Sequence, residues 1–165
     1  MTRSTQRATP RSTAAAGARP TFRDLDRATC ERILARNSVG RLAFTVRGHV
    51  DIEPISYIHD AGWLYGRTSP GSKLTALAHS HWVAFEVDEV EGHFDWRSVV
   101  VHGSFLTLDP DVPGAEGEAW ERGVSLLSKV VPDFGTPNDP AGFRTVLFRI
   151  HLDEVTGREA TTSRE

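Results

Sequence analysis

The sequence predicts a mainly β protein, a six-stranded antiparallel β-barrel with a few peripheral helices. Apolar and polar residues alternate along several segments separated by short turns, which is the pattern of half-buried strands. Helical spacing of apolar residues occurs in isolated segments and does not alternate regularly with the strands, which argues against a parallel α/β sheet. Because closure of an antiparallel sheet protects its edges, these observations together favour a barrel.

The N-terminal elements are predicted from a change in the period of the apolar residues. A helix is predicted over 26–36, with Asp26 as its cap and with Ile33 and Leu34 on its buried side. After this helix the pattern becomes alternating. It predicts strands at 39–46, 50–58 and 63–67, of which the first two form a hairpin, followed by a short helix capped by Ser69.

The C-terminal elements follow from the same rules. Two strands are predicted at 82–89 and 96–108, the second of which is rich in β-branched residues. Apolar residues then recur at helical spacing over 116–131, and Pro132 stops this helix. The final predicted strand is 143–155, after a loop of Gly, Pro, Asn and Asp.

Length and composition predict one domain with disordered ends. With 165 residues, 39% of them hydrophobic, the chain can build one sizeable core. Residues 1–20 contain four arginines, no acid and few large apolar side chains, so burial cannot offset their ordering entropy. We therefore expect a disordered tail at 1–20, a single domain at 21–156 and a flexible tail at 157–165. A transit peptide is the alternative interpretation of the first segment.

Charge and residue counts argue against several classes of protein. Without the four arginines of the tail, the formal net charge falls from −3 to −7, which disfavours a nucleic-acid partner. No apolar run approaches the ~18 residues of a membrane span. The single cysteine, Cys30, forms no intramolecular disulfide, which fits a reducing, cytoplasmic location. The seven histidines form no recognised metal motif, so no metal site is predicted.

The segment from Arg67 to Leu77 has the chemistry of a phosphate site. Ser69 and Pro70 suit the cap and the first position of a helix, which leaves the next amides pointing outward at the positive end of the helix dipole. No acidic side chain fills that end, and Lys73 and Arg67 add positive charge. The alternative is an ordinary helix start with two solvated cations.

An ordered set of segments between Leu25 and Leu108 resembles a known family. The segments are VGRLAF, EPISY, LYGRTSPGSKLTAL, VAFEVDE and DWRSVVVHG. They are similar to the pyridoxamine-phosphate-oxidase-like flavin-binding split barrels, in particular the flavin-nucleotide-binding and nitroimidazole-resistance branch. This resemblance implies a six-stranded split β-barrel that forms a homodimer and binds FMN in a groove between the subunits.

The resemblance also implies roles for individual residues. The strand that meets the isoalloxazine ring corresponds to Pro54, Ile55, Ser56 and Tyr57. The turn that binds the phosphate corresponds to Arg67, Thr68, Ser72 and Lys73. Further contacts to the flavin correspond to Trp96, Ser98 and Arg41.

The function implied by the resemblance is an FMN-dependent oxidoreductase acting on a small molecule, with a nicotinamide compound as a possible electron donor. No catalytic residue is assigned. The oxidase itself has a C-terminal Trp and Arg segment, whereas this chain ends in GREATTSRE, which argues against oxidation of vitamin phosphates. Ile52 and Tyr57 replace basic strand residues of the oxidase, so a deazaflavin is an alternative cofactor. A flavin carrier or redox sensor without turnover, and haem binding through His102 or His151, are further alternatives.

Overall fold

The structure is a computed structural model that describes residues 19–162. Most of the predicted N-terminal tail and the last three residues therefore lie outside the described residues. Within them are eight strands and three helices, in this order: β1 (Pro20–Leu25), α1 (Arg27–Arg36), β2 (Val39–Val46), β3 (His49–Asp60), β4 (Trp63–Thr68), α2 (Ser72–His79), β5 (Trp82–Gly92), β6 (Asp95–Thr107), α3 (Ala115–Leu127), β7 (Val146–His151) and β8 (Glu154–Thr162).

Six of the strands form a closed antiparallel ring. Their order is β6-β5-β2-β3-β4-β7, and β7 pairs back with β6. The long strand β6 makes this closure possible because it has two partners on one side: Trp96–His102 pairs with β8, and Phe105–Thr107 pairs with β7. Strand β1 extends the sheet beyond β8. The predicted fold class, an antiparallel barrel with a few helices, is confirmed.

The ring encloses the main hydrophobic core. Alternate residues of each strand point inward, and Leu42, Phe85, Val99 and Ile150 are fully buried. Burial of a side chain of this size contributes ~1.5–3 kcal/mol each. Helix α1 begins as predicted, because the Asp26 side chain accepts a hydrogen bond from the amide of Thr29 at 2.7 Å.

A second cluster packs helix α3 on the outside of β4 and β7. It contains Tyr65, Leu108, Leu126, Leu127 and Leu147. Helix α3 ends at Leu127, before the predicted end at 131, and the residues that follow form turns. None of the helices among the described residues is long and apolar enough to span a membrane.

The C-terminal part differs from the prediction. The segment 143–155 is not one strand: β7 begins at Val146, and β8 starts after a turn at Leu152 and Asp153. The segment from 157, predicted to be a flexible tail, belongs to β8 as far as Thr162. The sequence obscures this strand because its charged residue Glu159 is 2% exposed and paired with arginines.

The N-terminal edge also differs. Strand β1 starts at Pro20, inside the predicted tail, and pairs with β8 along its whole length. Arg23 of β1 and Arg97 of β6 both donate hydrogen bonds to Glu159, the second at 3.1 Å. Because a buried charge is stable only when paired, this trio explains how a polar segment forms an internal strand.

Candidate functional site

A cleft of about 290 Å³ lies where β3, β4 and the start of α2 meet. The turn after α3 that precedes β7 completes its wall. Six of the eleven residues predicted to bind the flavin line this cleft: Pro54, Ile55, Arg67, Thr68, Ser72 and Lys73. The structure therefore brings together the predicted phosphate turn and the beginning of the predicted ring-binding strand.

The start of α2 is open to an anion. The helix begins at Ser72, so Ser69 and Pro70 precede it and the predicted cap at Ser69 is wrong. Gly71 occupies the cap position in extended backbone, without a side-chain cap, and no acidic residue lies in the first turn. The first intrahelical bond runs from the Thr75 amide to the Gly71 carbonyl at 3.3 Å. The preceding amides of the helix are free to bind an anion.

Lys73 faces the cleft with an acidic partner. Its Nζ donates to Glu53 Oε2 at 2.5 Å; the lysine side chain is 14% exposed and the glutamate 40%. Glu53 lies on β3 opposite Leu42 of β2, at the end of the ring next to α2. The cleft thus contains a cation, Lys73, and an acid, Glu53, which can compete with an anionic ligand for the lysine.

Arg67 is neutralised by a carboxylate of the protein and does not present a free charge to the cleft. It forms two hydrogen bonds to Asp139, at 2.6 and 2.7 Å, and both side chains are buried. The Arg67 Cζ lies 4.9 Å from the centre of the Phe134 ring. The Asp139 carboxylate also accepts from the amides of Gly135 and Ala141. These hydrogen bonds, Arg67 first, hold the pKa of Asp139 well below its usual range.

The cleft has a cation that the sequence reasoning missed. Arg144 lines it together with Phe143, and its Cζ lies 5.6 Å from the Phe143 ring. Arg144 is half-buried, and no ion pair within residues 19–162 includes it. The sequence placed both residues in a strand, where nothing marks them as neighbours of Lys73. The structure places them in the turn before β7.

The residues predicted along β3 divide between two faces. Ile55 and Tyr57 point into the ring and are buried. The Tyr57 hydroxyl donates to the Leu34 carbonyl at 2.7 Å, and burial raises the pKa of this tyrosine. Its side chain is therefore a core residue, which corrects the predicted side-chain contact with the flavin. Pro54 and Ser56 lie on the exposed outer face.

Arg41 and Ser98 share this outer face of the sheet. Arg41 pairs with Pro54 on one side and Glu86 on the other. Its guanidinium group forms ion pairs with Glu86, at 3.2 Å, and with Asp88. The Ser98 hydroxyl donates to the same Glu86 carboxylate at 3.1 Å. Glu86 thus connects two predicted site residues, and it is a residue that the sequence did not single out.

Trp96 and Ser98 border a separate groove of about 630 Å³ between β6, β8 and β1. The Trp96 ring is 6.4 Å from that of Phe22 on β1. This groove and the cleft share no lining residue. Within one chain the predicted site residues therefore form two groups joined by the outer face of the sheet.

The histidines proposed for haem lie away from the cleft. His151 has its Nδ1 2.7 Å from Asp153 Oδ1 and its ring 4.6 Å from that of Trp63. His102 lies opposite Ala84 and Glu154 on the outer face. In the part of the chain that the structure describes, no three His, Cys, Asp or Glu side chains are grouped to hold a metal ion.

Comparisons with known proteins agree with this architecture. The sequence profile of the pyridoxamine 5'-phosphate oxidase family matches residues 26–159. An uncharacterized protein of Rhizobium meliloti (strain 1021) is 30% identical over 154 residues, which cover 84% of this chain and 95% of that protein.

Two solved structures extend the comparison. The crystal structure of a FAD-binding protein of Mesorhizobium loti has a TM-score of 0.65 and 32% identity, covering 86% of this chain and 98% of the other. A candidate pyridoxamine 5'-phosphate oxidase of Corynebacterium glutamicum has a TM-score of 0.62 and 27% identity, covering 87% of this chain and 100% of the other. The chain therefore belongs to the pyridoxamine 5'-phosphate oxidase family.

Proposed function

We propose that the chain binds a flavin nucleotide, FMN, with the phosphate in the cleft at the start of α2, and that it is an FMN-dependent oxidoreductase. The observation that carries this proposal is the open helix start beside Lys73 and Arg144 in one cleft. A helix start without an acidic side chain, flanked by cations, matches the charge of a phosphate group. The similarity to the FAD-binding protein of Mesorhizobium loti supports a flavin as the ligand.

The residues present fit such a ligand. The amides of Ser72 and Lys73, together with the lysine ammonium and the Arg144 guanidinium, would hold the phosphate. Thr68 lines the same cleft. The exposed residues Pro54 and Ser56 offer a surface for the ring system. The cleft, of about 290 Å³, would hold the phosphate end of the ligand.

The bound flavin would supply hydride or electron transfer, and the protein would bind and orient it. We propose a small organic molecule as the substrate and a nicotinamide compound as electron donor. No acid–base pair is assigned beside the cleft, which equally fits a flavin carrier. Turnover of a nicotinamide donor with a quinone or nitro compound separates the enzyme from the carrier. A cytoplasmic location is also proposed, since it suits the buried thiol of Cys30.

Titration with FMN and riboflavin tests the proposal directly. The two ligands share the ring system and differ by the phosphate, so the parent protein should bind FMN more tightly. A charge-assisted contact contributes ~1.5–3 kcal/mol, so Lys73→Ala should weaken FMN binding roughly 10- to 150-fold and riboflavin binding far less. Equal affinities of the parent for both ligands would contradict phosphate binding in the cleft. Failure to bind either ligand would contradict the function.

We further propose that the protein is a homodimer formed through the outer face of the sheet. Val39, Val50 and Ile52 of β2 and β3 are 57%, 72% and 61% exposed on this face, and apolar surface of this kind can mark a protein–protein interface. A second chain packed there could bring its Trp96 and Ser98 to the cleft of the first, which would unite the two groups of predicted residues. Ile52→Glu should then give a monomer in sedimentation experiments, whereas Glu31→Gln on α1 should not.

A further inference from the structure

A second cavity, of about 520 Å³, lies along a different side of α2 from the cleft. Lys73 faces the cleft, and the next residue of the helix, Leu74, lines this cavity. Most of its wall is apolar and comes from α2 and from the end of β6, and its charged residues come from β7 and from the first turn of α3. The residues that matter here are Leu74, Leu77, Phe105, Leu108, Glu116 and Arg149.

Arg149 brings a permanent positive charge to this cavity. On β7 it lies between Tyr65 of β4 and Leu106 of β6, at the seam that closes the ring. Its Cζ is 3.8 Å from the centre of the Trp63 ring. Within residues 19–162, no protein group accepts a hydrogen bond from its buried Nε, and none of the ion pairs includes it.

Arg149 differs in this respect from two other arginines of the protein, Arg67 and Arg97. Arg67 and Arg97 each have a carboxylate partner where their side chains are partly or fully buried. Stacking on Trp63 orients the Arg149 guanidinium group, but an aromatic ring does not satisfy an N–H donor as an oxygen does. A buried donor without an acceptor costs free energy, and a carboxylate matches the planar fork of a guanidinium group.

We propose that this cavity binds a small molecule with an apolar body and a terminal carboxylate. The carboxylate lies on Arg149, and the apolar body packs against Leu74, Leu77 and Phe105. The cavity volume is in the ordinary range for small-molecule sites. Glu116 lines the same cavity at the exposed start of α3 and opposes the ligand charge, so it weakens binding without preventing it.

The site is independent of the flavin proposal because it shares no lining residue with the cleft. It can therefore be tested on the full chain whether or not a flavin is bound. Isothermal titration calorimetry with octanoate, octan-1-ol and octylamine compares one apolar body with three head groups. We expect octanoate to bind at least ~10-fold more tightly than octan-1-ol, and octylamine to bind more weakly than either.

Variants then locate the head group. Arg149→Met should reduce octanoate affinity roughly 10-fold or more, to the level of octan-1-ol, while Glu116→Gln should increase it a few-fold. The exposed Arg32→Met on α1 is the matched control and should change nothing. If Arg149→Met does not fold, the comparison of head groups on the parent and on Glu116→Gln still decides. Equal binding of octanoate and octan-1-ol, or no binding of octanoate at millimolar concentration, overturns the proposal.

Discussion

The charged residues around the cleft at the start of α2 form two sets that differ in their partners. The first set is the pair of Arg67 and Asp139: Arg67 is 8% exposed and bound through both terminal nitrogens of its guanidinium group to Asp139, which is 1% exposed. The second set is Lys73, which has a half-exposed acidic partner, and Arg144, which has no carboxylate partner among the described residues. A cation that the protein already neutralises stabilises the fold, whereas one left open can serve a ligand.

The largest expected effect comes from breaking the ion pair of Arg67 and Asp139. Arg67→Ala leaves the Asp139 carboxylate buried without its partner, and removal of one member of a buried pair is strongly destabilising. We expect a fall in Tm of roughly 10 °C. Arg122→Ala is the matched control, because Arg122 makes two similar hydrogen bonds to Asp60 on the surface and should change Tm by about 2 °C at most. Equal Tm changes in the two variants would show that the Arg67–Asp139 pair stabilises the fold no more than a surface ion pair does.

Loss of Arg144 should change the affinity for FMN and not the thermal stability of the fold. Arg144→Ala removes a cation that contacts the Phe143 ring and takes part in no ion pair among residues 19–162, so the fold should keep its Tm. FMN affinity should fall roughly 10- to 150-fold, as for loss of one charge-assisted contact, with little change for riboflavin. Fluorescence titration of both ligands measures this. A variant that keeps the parent's FMN affinity would remove Arg144 from the proposed site.

The difference between the paired Arg67 and the more available Lys73 and Arg144 also marks the limit of what the sequence could predict. The convergence of Arg67 and Lys73 was predictable, because both are near one helix start. The role of Arg67 was not, since its partner Asp139 is 72 residues away in a loop that no local pattern connects to it. Glu53 and Arg144 were missed for a similar reason, because β3 and the turn before β7 meet the start of α2 only in the folded structure.

The sheet itself shows the same division. The six strands of the ring were predicted, although the last was predicted over 143–155 and β7 covers only Val146–His151. The part of β8 from residue 157 onward was interpreted as a tail, because its buried Glu159 becomes compatible with burial only through Arg23 and Arg97. Its Gly157 also allows close packing, as an added Cβ would lie 2.5 Å from Cys30 Sγ. Local patterns thus predict elements that are stable by burial alone, whereas distant charge pairs are found only in the folded structure.

Low pH should weaken the ion pair of Arg67 and Asp139. The hydrogen bonds from Arg67 lower the pKa of Asp139 from its ordinary value of 3.8. Such a group stabilises the folded state at pH values above 3.8, and this contribution is lost as the pH falls through the lower pKa of the folded state. The Tm difference between the parent and Asp139→Asn should therefore be constant near neutral pH and become smaller below that value. A difference that stays constant into strong acid would contradict this assignment.

The smallest effect is expected from Glu53, the acidic partner of Lys73. Glu53 holds the Lys73 ammonium at 2.5 Å, so a phosphate entering the cleft must compete with this carboxylate. Because the glutamate is 40% exposed, the pair is stabilised by no more than ~1 kcal/mol, and Glu53→Gln should strengthen FMN binding by up to about 5-fold. Asp51→Asn removes the same charge from an exposed position on the same strand and serves as the control. If both variants strengthen binding equally, the effect is one of net charge. If Glu53→Gln weakens FMN binding, the glutamate positions Lys73 for the ligand and does not compete with it.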